Sequence, residues 1–125
     1  MAHTNSRPVF LNLLQIKLPV TGVVSIAHRI SGMLLFISLP IALYLLGLSL
    51  SSEAGFELTA AIVRSLPFRL LALLALWAVL HHLLAGLRFL LIDLDIGVRK
   101  NPARVSAFGV IVGGVLLTLF AGLLL

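Results

Sequence analysis

The stretch that decides the fold is PFRLLALLALWAVLHHLLAGLRFLLI, which runs from about Pro67 to Ile92. It is apolar almost throughout, and as a helix it is longer than the roughly 20 residues that cross a bilayer core of about 30 Å. Its apolar residues are continuous rather than alternating, which argues against a membrane β-strand. The stretch therefore predicts a transmembrane helix, and it carries two adjacent histidines, His81 and His82.

Two further apolar stretches flank this one, so that the predicted helices cover about 20–50, 67–92 and 106–125. The composition agrees with a membrane protein, because 61% of the 125 residues are hydrophobic and only 10% are charged. Such values lie far outside the range of soluble globular domains. We predict that residues 1–125 form a single all-α transmembrane domain of three helices, which leaves little chain for a separate aqueous domain.

The basic residues are distributed unevenly between the two ends of this predicted bundle. The positive-inside rule therefore places the N-terminus in the cytoplasm. The net charge of +5 is explained by this orientation, and it requires no nucleic-acid partner. Glu53 and Glu57 are expected in a short loop at the less basic end. One end carries Arg7, Lys17, Arg29, Arg88, Arg99, Lys100 and Arg104, and the other carries Arg64 and Arg69.

His81 and His82 lie at membrane depth, where an imidazole without a partner is costly. One interpretation is ligation of a haem iron, and the other is a hydrogen bond to a neighbouring helix. Side chains at adjacent helical positions point about 100° apart, so only one of the two histidines is able to ligate a given flat macrocycle. His82 has small neighbours such as Ala85 and Gly86, whereas His81 lies near Trp77. We predict that His82 is the ligand and that His81 packs or forms hydrogen bonds.

Polar residues also occur near the start of the first helix. From its position we place His28 roughly ten residues, or about 15 Å in depth, away from His82, so a second axial ligand is expected from another chain. Ser25 and Arg29 share a helix face, and a hydroxyl and a guanidinium there are able to bind a quinone carbonyl. The simpler alternative is that Arg29 only reaches lipid headgroups. The spacing alone leaves both interpretations open.

Several short motifs follow one another along the chain in a recognisable order. They are Arg7-Pro8, the run SIAHRISG at 25–32, and His82 followed by Gly86-Leu87-Arg88 and Asp93. With these motifs the chain resembles the cytochrome b556 subunits of bacterial succinate dehydrogenase, small three-helix membrane anchors of respiratory complex II. The resemblance spans nearly the whole chain. It departs from the family at Phe89, where members often carry a histidine, so any polar contact of that histidine is absent.

The resemblance implies that His82 is one axial ligand of haem b and that a second small membrane-anchor subunit supplies the other. It also implies that Ser25 and Arg29 help to form the ubiquinone site, and that His28 and Arg29 lie near the haem propionates. The expected partners are this second anchor, an iron–sulfur subunit and a flavoprotein subunit. The complex would pass electrons from succinate to ubiquinone in the inner membrane of a bacterium.

The chain by itself contains no plausible nucleophile, acid–base pair or nucleotide-binding loop. We therefore assign no catalytic residue to it and expect no succinate oxidation without the partner subunits. Two alternatives remain open. One is a cytochrome b anchor of fumarate reductase or of another membrane dehydrogenase. The other is a haem-free membrane scaffold or transporter, in which the histidines pack or relay protons.

Overall fold

A computed structural model describes residues 17–123, and within this range the backbone forms helices and no strand. The helices are α1 (Val20–Ser51), α2 (Glu53–Arg64), α3 (Leu66–Asp93) and α4 (Lys100–Gly122). Helices α1, α3 and α4 are each long and apolar enough to cross a membrane. The prediction of an all-α protein with three transmembrane helices is therefore confirmed. The Arg7-Pro8 motif lies outside the described residues.

The segment that carries Glu53 and Glu57 is a helix, and the prediction of a short loop there is wrong. Ser52 caps α2, because its hydroxyl oxygen accepts a hydrogen bond from the backbone N–H of Gly55 at 3.0 Å. Glu53 in the first turn and Arg64 in the last turn complement the helix dipole. These signals are polar, so a search for long apolar stretches does not detect them.

Helix α4 begins at Lys100, earlier than the predicted start at about 106. Its first turn is polar and contains Lys100 and Arg104, which an apolar-stretch criterion excludes. Backbone hydrogen bonding does not depend on hydropathy, so a membrane helix continues into the headgroup region. The turn before it uses left-handed backbone at Asp95, with φ of 61°, and at Gly97, with φ of 78°. Glycine adopts this conformation without a steric cost.

Helix α3 packs against both α1 and α4 and so forms the centre of the bundle. The contacts use small side chains, because Ala78 and Ala85 of α3 and Ala107 of α4 are fully buried. Close approach through small residues is the usual way in which helices associate inside lipid, where burial of large apolar side chains gives no hydrophobic gain. Large apolar side chains such as Phe36 and Phe120 point outward.

The start of α1, the end of α3 and the start of α4 lie at the same end of the bundle, because consecutive spans run in opposite directions. We call this the basic end. Among the described residues it carries Lys17, Arg29, Arg88, Arg99, Lys100 and Arg104, together with Asp93 and Asp95.

Candidate functional site

The side chains of His28 and His82 lie against each other where α1 packs on α3. Their ring centroids are 4.0 Å apart and the rings are inclined by only 15°, so they are stacked. The ring of Phe89 meets His28 edge-on, with the ring centroids 5.2 Å apart. The contact between α1 and α3 thus brings together the two imidazole rings and the phenyl ring of Phe89.

The predicted separation of about 15 Å in depth between His28 and His82 is wrong, and the cause is geometric. Because α1 and α3 run in opposite directions, residues counted forward from the start of α1 and backward from the end of α3 reach the same membrane depth. His28 and His82 are therefore level with each other. The shared depth of the two histidines can be predicted from the sequence only when the helix bounds and the pairing of the helices are known.

The backbone and side chains of α1 hold one edge of the His82 ring. Nδ1 of His82 lies 3.1 Å from the carbonyl oxygen of His28 and 3.0 Å from the hydroxyl oxygen of Ser31. The Ser31 hydroxyl donates to that same carbonyl oxygen at 2.8 Å. A Cβ at Gly32 would lie 3.1 Å from Cε1 of His82, so the lack of a side chain there lets the ring approach α1. Ser31 and Gly32 belong to the motif SIAHRISG at 25–32, but the motif alone did not predict these roles.

His81 occupies a different environment, in the contact between α3 and α4. It is only 2% exposed, and its ring stacks on Trp77 at a centroid distance of 5.1 Å. On the α4 side, a Cβ at Gly114 would lie 3.6 Å from its Nδ1. Its Nε2 is buried and has no hydrogen-bond partner among residues 17–123. His81 therefore packs closely in the helix interface, and the described part of the chain provides no hydrogen bond to its Nε2.

The small residues of α3 do not surround His82 as the sequence-based preference for that histidine assumed. Ala78 and Ala85 are fully buried and share the spacing of His81, so they belong to the strip of α3 that faces the bundle interior. Neighbour size therefore gave an incomplete reason to prefer His82. The sharper difference is burial, because His82 remains only half-buried whereas His81 is enclosed.

Arg88 continues the buried strip of α3 toward the basic end and is only 6% exposed. Its Nε donates to the hydroxyl oxygen of Ser106 at 3.0 Å, and its Nη2 donates to the carbonyl oxygen of Ala103 at 3.1 Å. Its guanidinium carbon also lies 5.6 Å from the centre of the Phe89 ring. Arg88 thus joins α3 to the first turns of α4, a role that the motif alone did not reveal.

Ser25 and Arg29 lie one turn apart in the first part of α1, as their spacing predicted. Ser25 is half-buried and Arg29 is exposed at the basic end. An exposed guanidinium at this position is accessible to a quinone, to a partner subunit or to lipid phosphate. Quinone binding and headgroup anchoring by these residues both stay predictions.

Two cavities lie away from the paired histidines. One, of about 360 Å³, lies between α3 and α4 and is lined by Arg88, Ser106 and surrounding apolar side chains. The other, of about 470 Å³, lies toward the opposite end and is lined by residues that include Arg64, Phe68 and Arg69. Neither cavity was anticipated from the sequence, because each is formed by side chains of more than one helix.

Comparisons with known proteins match nearly the whole chain. The family model described as succinate dehydrogenase/fumarate reductase transmembrane subunit matches residues 3–121. A protein of Coxiella burnetii (strain RSA 493 / Nine Mile phase I), named succinate dehydrogenase cytochrome b556 subunit, is 35% identical over 117 residues, covering 93% of this chain and 94% of the relative. A protein of the same name from Paracoccus denitrificans is 32% identical over 119 residues, covering 94% and 92%.

Proposed function

Because the chain belongs to the succinate dehydrogenase/fumarate reductase transmembrane subunit family, we propose that it anchors a succinate dehydrogenase, binds haem b through His82 and contributes Ser25 and Arg29 to a ubiquinone site. Its partners are a second small anchor, an iron–sulfur subunit and a flavoprotein subunit. The chain is a multi-pass membrane protein. We place it in a bacterial inner membrane with the basic end in the cytoplasm.

The contrast in burial between two adjacent histidines is the observation that carries the haem assignment. His81 is enclosed by Trp77 and by the close approach of Gly114, so a porphyrin could reach it only if α3 and α4 separated. His82 is half-buried: α1 occupies the Nδ1 edge of its ring, and the His28 ring covers one of its faces. An imidazole that is held on one edge and accessible on the other fits the role of an axial ligand.

The stacking of His28 on His82 bears on the origin of the second axial ligand. The His28 ring lies face to face on the His82 ring, and in this stack the nitrogens of the two rings would not converge on a single iron held by His82. This supports a ligand from the second anchor subunit. Haem bound here supplies a one-electron redox centre.

Cationic and polar groups near the start of α1 support the remaining assignments. Arg29 is exposed, so its guanidinium is available to carboxylates such as the haem propionates, and His28 lies one residue before it. For ubiquinone, the Ser25 hydroxyl donates a hydrogen bond to a quinone carbonyl. The positive charge of Arg29 then stabilises the negative charge that develops on that oxygen during reduction. Succinate oxidation takes place in the partner subunits.

The family covers both succinate dehydrogenases and fumarate reductases. We favour succinate dehydrogenase because the relatives from Coxiella burnetii and Paracoccus denitrificans both carry that name. The subunits that co-purify with the chain, and the direction of turnover with succinate and fumarate, distinguish the two enzymes.

The test of the haem assignment is the reduced-minus-oxidised absorbance spectrum of the complex isolated through this chain. We compare the wild type with His82→Ala and with His81→Ala, which is the matched control on the adjacent residue. The expected result is loss of the b-type band in the His82 variant alone, with flavin and iron–sulfur subunits present in the wild type. A band that survives His82→Ala, or that disappears only in His81→Ala, would contradict the assignment. Absence of a haem band in every sample would favour the haem-free scaffold or transporter.

A further inference from the structure

The Nδ1 atom of His82 is enclosed by two oxygen atoms of α1. The carbonyl oxygen of His28 lies 3.1 Å away and the hydroxyl oxygen of Ser31 lies 3.0 Å away. A carbonyl oxygen only accepts hydrogen bonds. If Nδ1 carried no proton, its lone pair would face the lone pairs of that carbonyl at hydrogen-bonding distance. The contact therefore requires a proton on Nδ1.

The Ser31 hydroxyl is oriented by the same carbonyl. It donates to the carbonyl oxygen of His28 at 2.8 Å, which is shorter than its contact with His82. With its proton directed at the carbonyl, the hydroxyl oxygen presents lone pairs to Nδ1 and accepts from it. The proton on Nδ1 is thus shared between two acceptors, in a three-centre arrangement that is common near helix backbones.

A neutral imidazole carries a proton on only one of its two nitrogens. A proton held on Nδ1 leaves Nε2 with a free lone pair, and this is the form that binds a metal. We propose that Ser31, together with the backbone carbonyl of His28, is a positioning residue that fixes the tautomer and the ring orientation of His82, so that Nε2 is directed at the haem iron. This inference deepens the proposed function and rests on it.

Gly32 completes the arrangement on the α1 side. A Cβ at this position would lie 3.1 Å from Cε1 and 3.6 Å from Nδ1 of His82, so any side chain would push the ring away from its acceptors. The pair Ser31-Gly32 therefore supplies both an acceptor and the space that the acceptor needs. Partners of this kind on the second nitrogen of a ligating histidine typically change metal affinity about 10- to 100-fold.

The experiment compares Ser31→Ala with Ser38→Ala in the isolated complex. Ser38 is a matched control, since its hydroxyl makes the same kind of bond to the carbonyl three residues earlier, at 3.0 Å to Leu35. The readouts are the midpoint potential of the haem, the electron paramagnetic resonance spectrum of its ferric form and the affinity for haem added to the haem-free complex. None of these depends on turnover.

We expect Ser31→Ala to weaken haem binding on the order of tenfold. Its midpoint potential should shift to a more positive value, because an imidazole that donates a weaker Nδ1–H bond stabilises ferric iron less well. The ferric spectrum should shift as well. Ser31→Thr keeps a hydroxyl and should restore wild-type values, and Ser38→Ala should not differ from the wild type.

The outcomes separate this inference from the haem assignment. If Ser31→Ala matches Ser38→Ala in potential, spectrum and affinity while His82→Ala abolishes haem, the positioning role is wrong and the ligand assignment stands. If His82→Ala retains haem, the ligand assignment fails first. Should Ser31→Ala prevent assembly, Ser31→Thr decides the question, because failure of the threonine to restore haem binding also contradicts the proposal.

Discussion

The imidazole rings of His28 and His82 stack with centroids 4.0 Å apart, although 54 positions separate the residues in the chain. The contact is possible because Gly32 has no side chain on the face of α1 that His82 approaches. It brings a backbone carbonyl and a hydroxyl of one helix to the ring of another. Substitutions around these two rings should therefore affect haem binding, whereas comparable substitutions elsewhere in the same helices should not.

Gly32→Ala should lower both the haem content and the stability of the complex. The added Cβ would lie 3.1 Å from Cε1 of His82, and such overpacking costs about 1–3 kcal/mol. Gly47→Ala in the same helix is the matched control, because a Cβ there meets no atom within 4 Å. Haem content per protein and thermal denaturation in detergent are the measurements. Equal behaviour of the two variants would show that His82 does not rest against α1.

His81→Leu should leave the haem band unchanged and leave the stability unchanged or raise it. The substitution removes a buried Nε2 that has no hydrogen-bond partner among residues 17–123, and an unsatisfied polar group of this kind costs about 1–3 kcal/mol. His81→Ala should instead destabilise the bundle, since it leaves a cavity beside Trp77. Thermal denaturation of the isolated complex checks both. A large loss of stability in His81→Leu would mean that Nε2 has a partner in the assembled complex.

Arg88 and Ser106 should be coupled in their effects on stability. Ser106→Ala should lower the free energy of unfolding by about 1 kcal/mol, because it removes the acceptor for Nε of Arg88. Arg88→Lys should cost more, since an ammonium group cannot reproduce the fork that reaches both Ser106 and Ala103. In an Arg88→Met background, which has no donor for the Ser106 hydroxyl, Ser106→Ala should have almost no further effect. A double-mutant cycle followed by denaturation makes the comparison, and strictly additive costs would rule out the hydrogen bond as the link.

Ser25→Ala and Arg29→Lys should impair ubiquinone reduction while leaving succinate oxidation with an artificial soluble electron acceptor unchanged. Loss of a hydrogen bond to a charged group costs about 1.5–3 kcal/mol, which corresponds to a decrease of about 10- to 150-fold in kcat/KM for ubiquinone. Arg104→Lys is the control, because Arg104 is also exposed at the basic end but lies on α4. Full activity of both variants would favour the headgroup-anchoring interpretation of Arg29.

Much of the fold follows from the sequence because crossing a bilayer imposes strict requirements. Three long apolar stretches have no stable alternative to helices, since every backbone polar group must be hydrogen-bonded within the segment. Helix α2 and the early start of α4 were not predicted, because α2 has only 12 residues and includes polar ones, and the first turn of α4 is polar. In both places water can satisfy the backbone in other conformations. Caps such as Ser52 are local signals and are weaker than a continuous apolar stretch.

By itself the sequence determined the residue types at membrane depth: adjacent histidines on one helix, and a serine, a histidine and an arginine near the start of another. Only the tertiary structure decided their partners. Because adjacent positions on a helix point about 100° apart, His81 faces α4 and becomes enclosed, whereas His82 faces α1 and meets Ser31 and the His28 carbonyl. Which helix stands on which side depends on packing between residues far apart in the chain, and no local pattern records it.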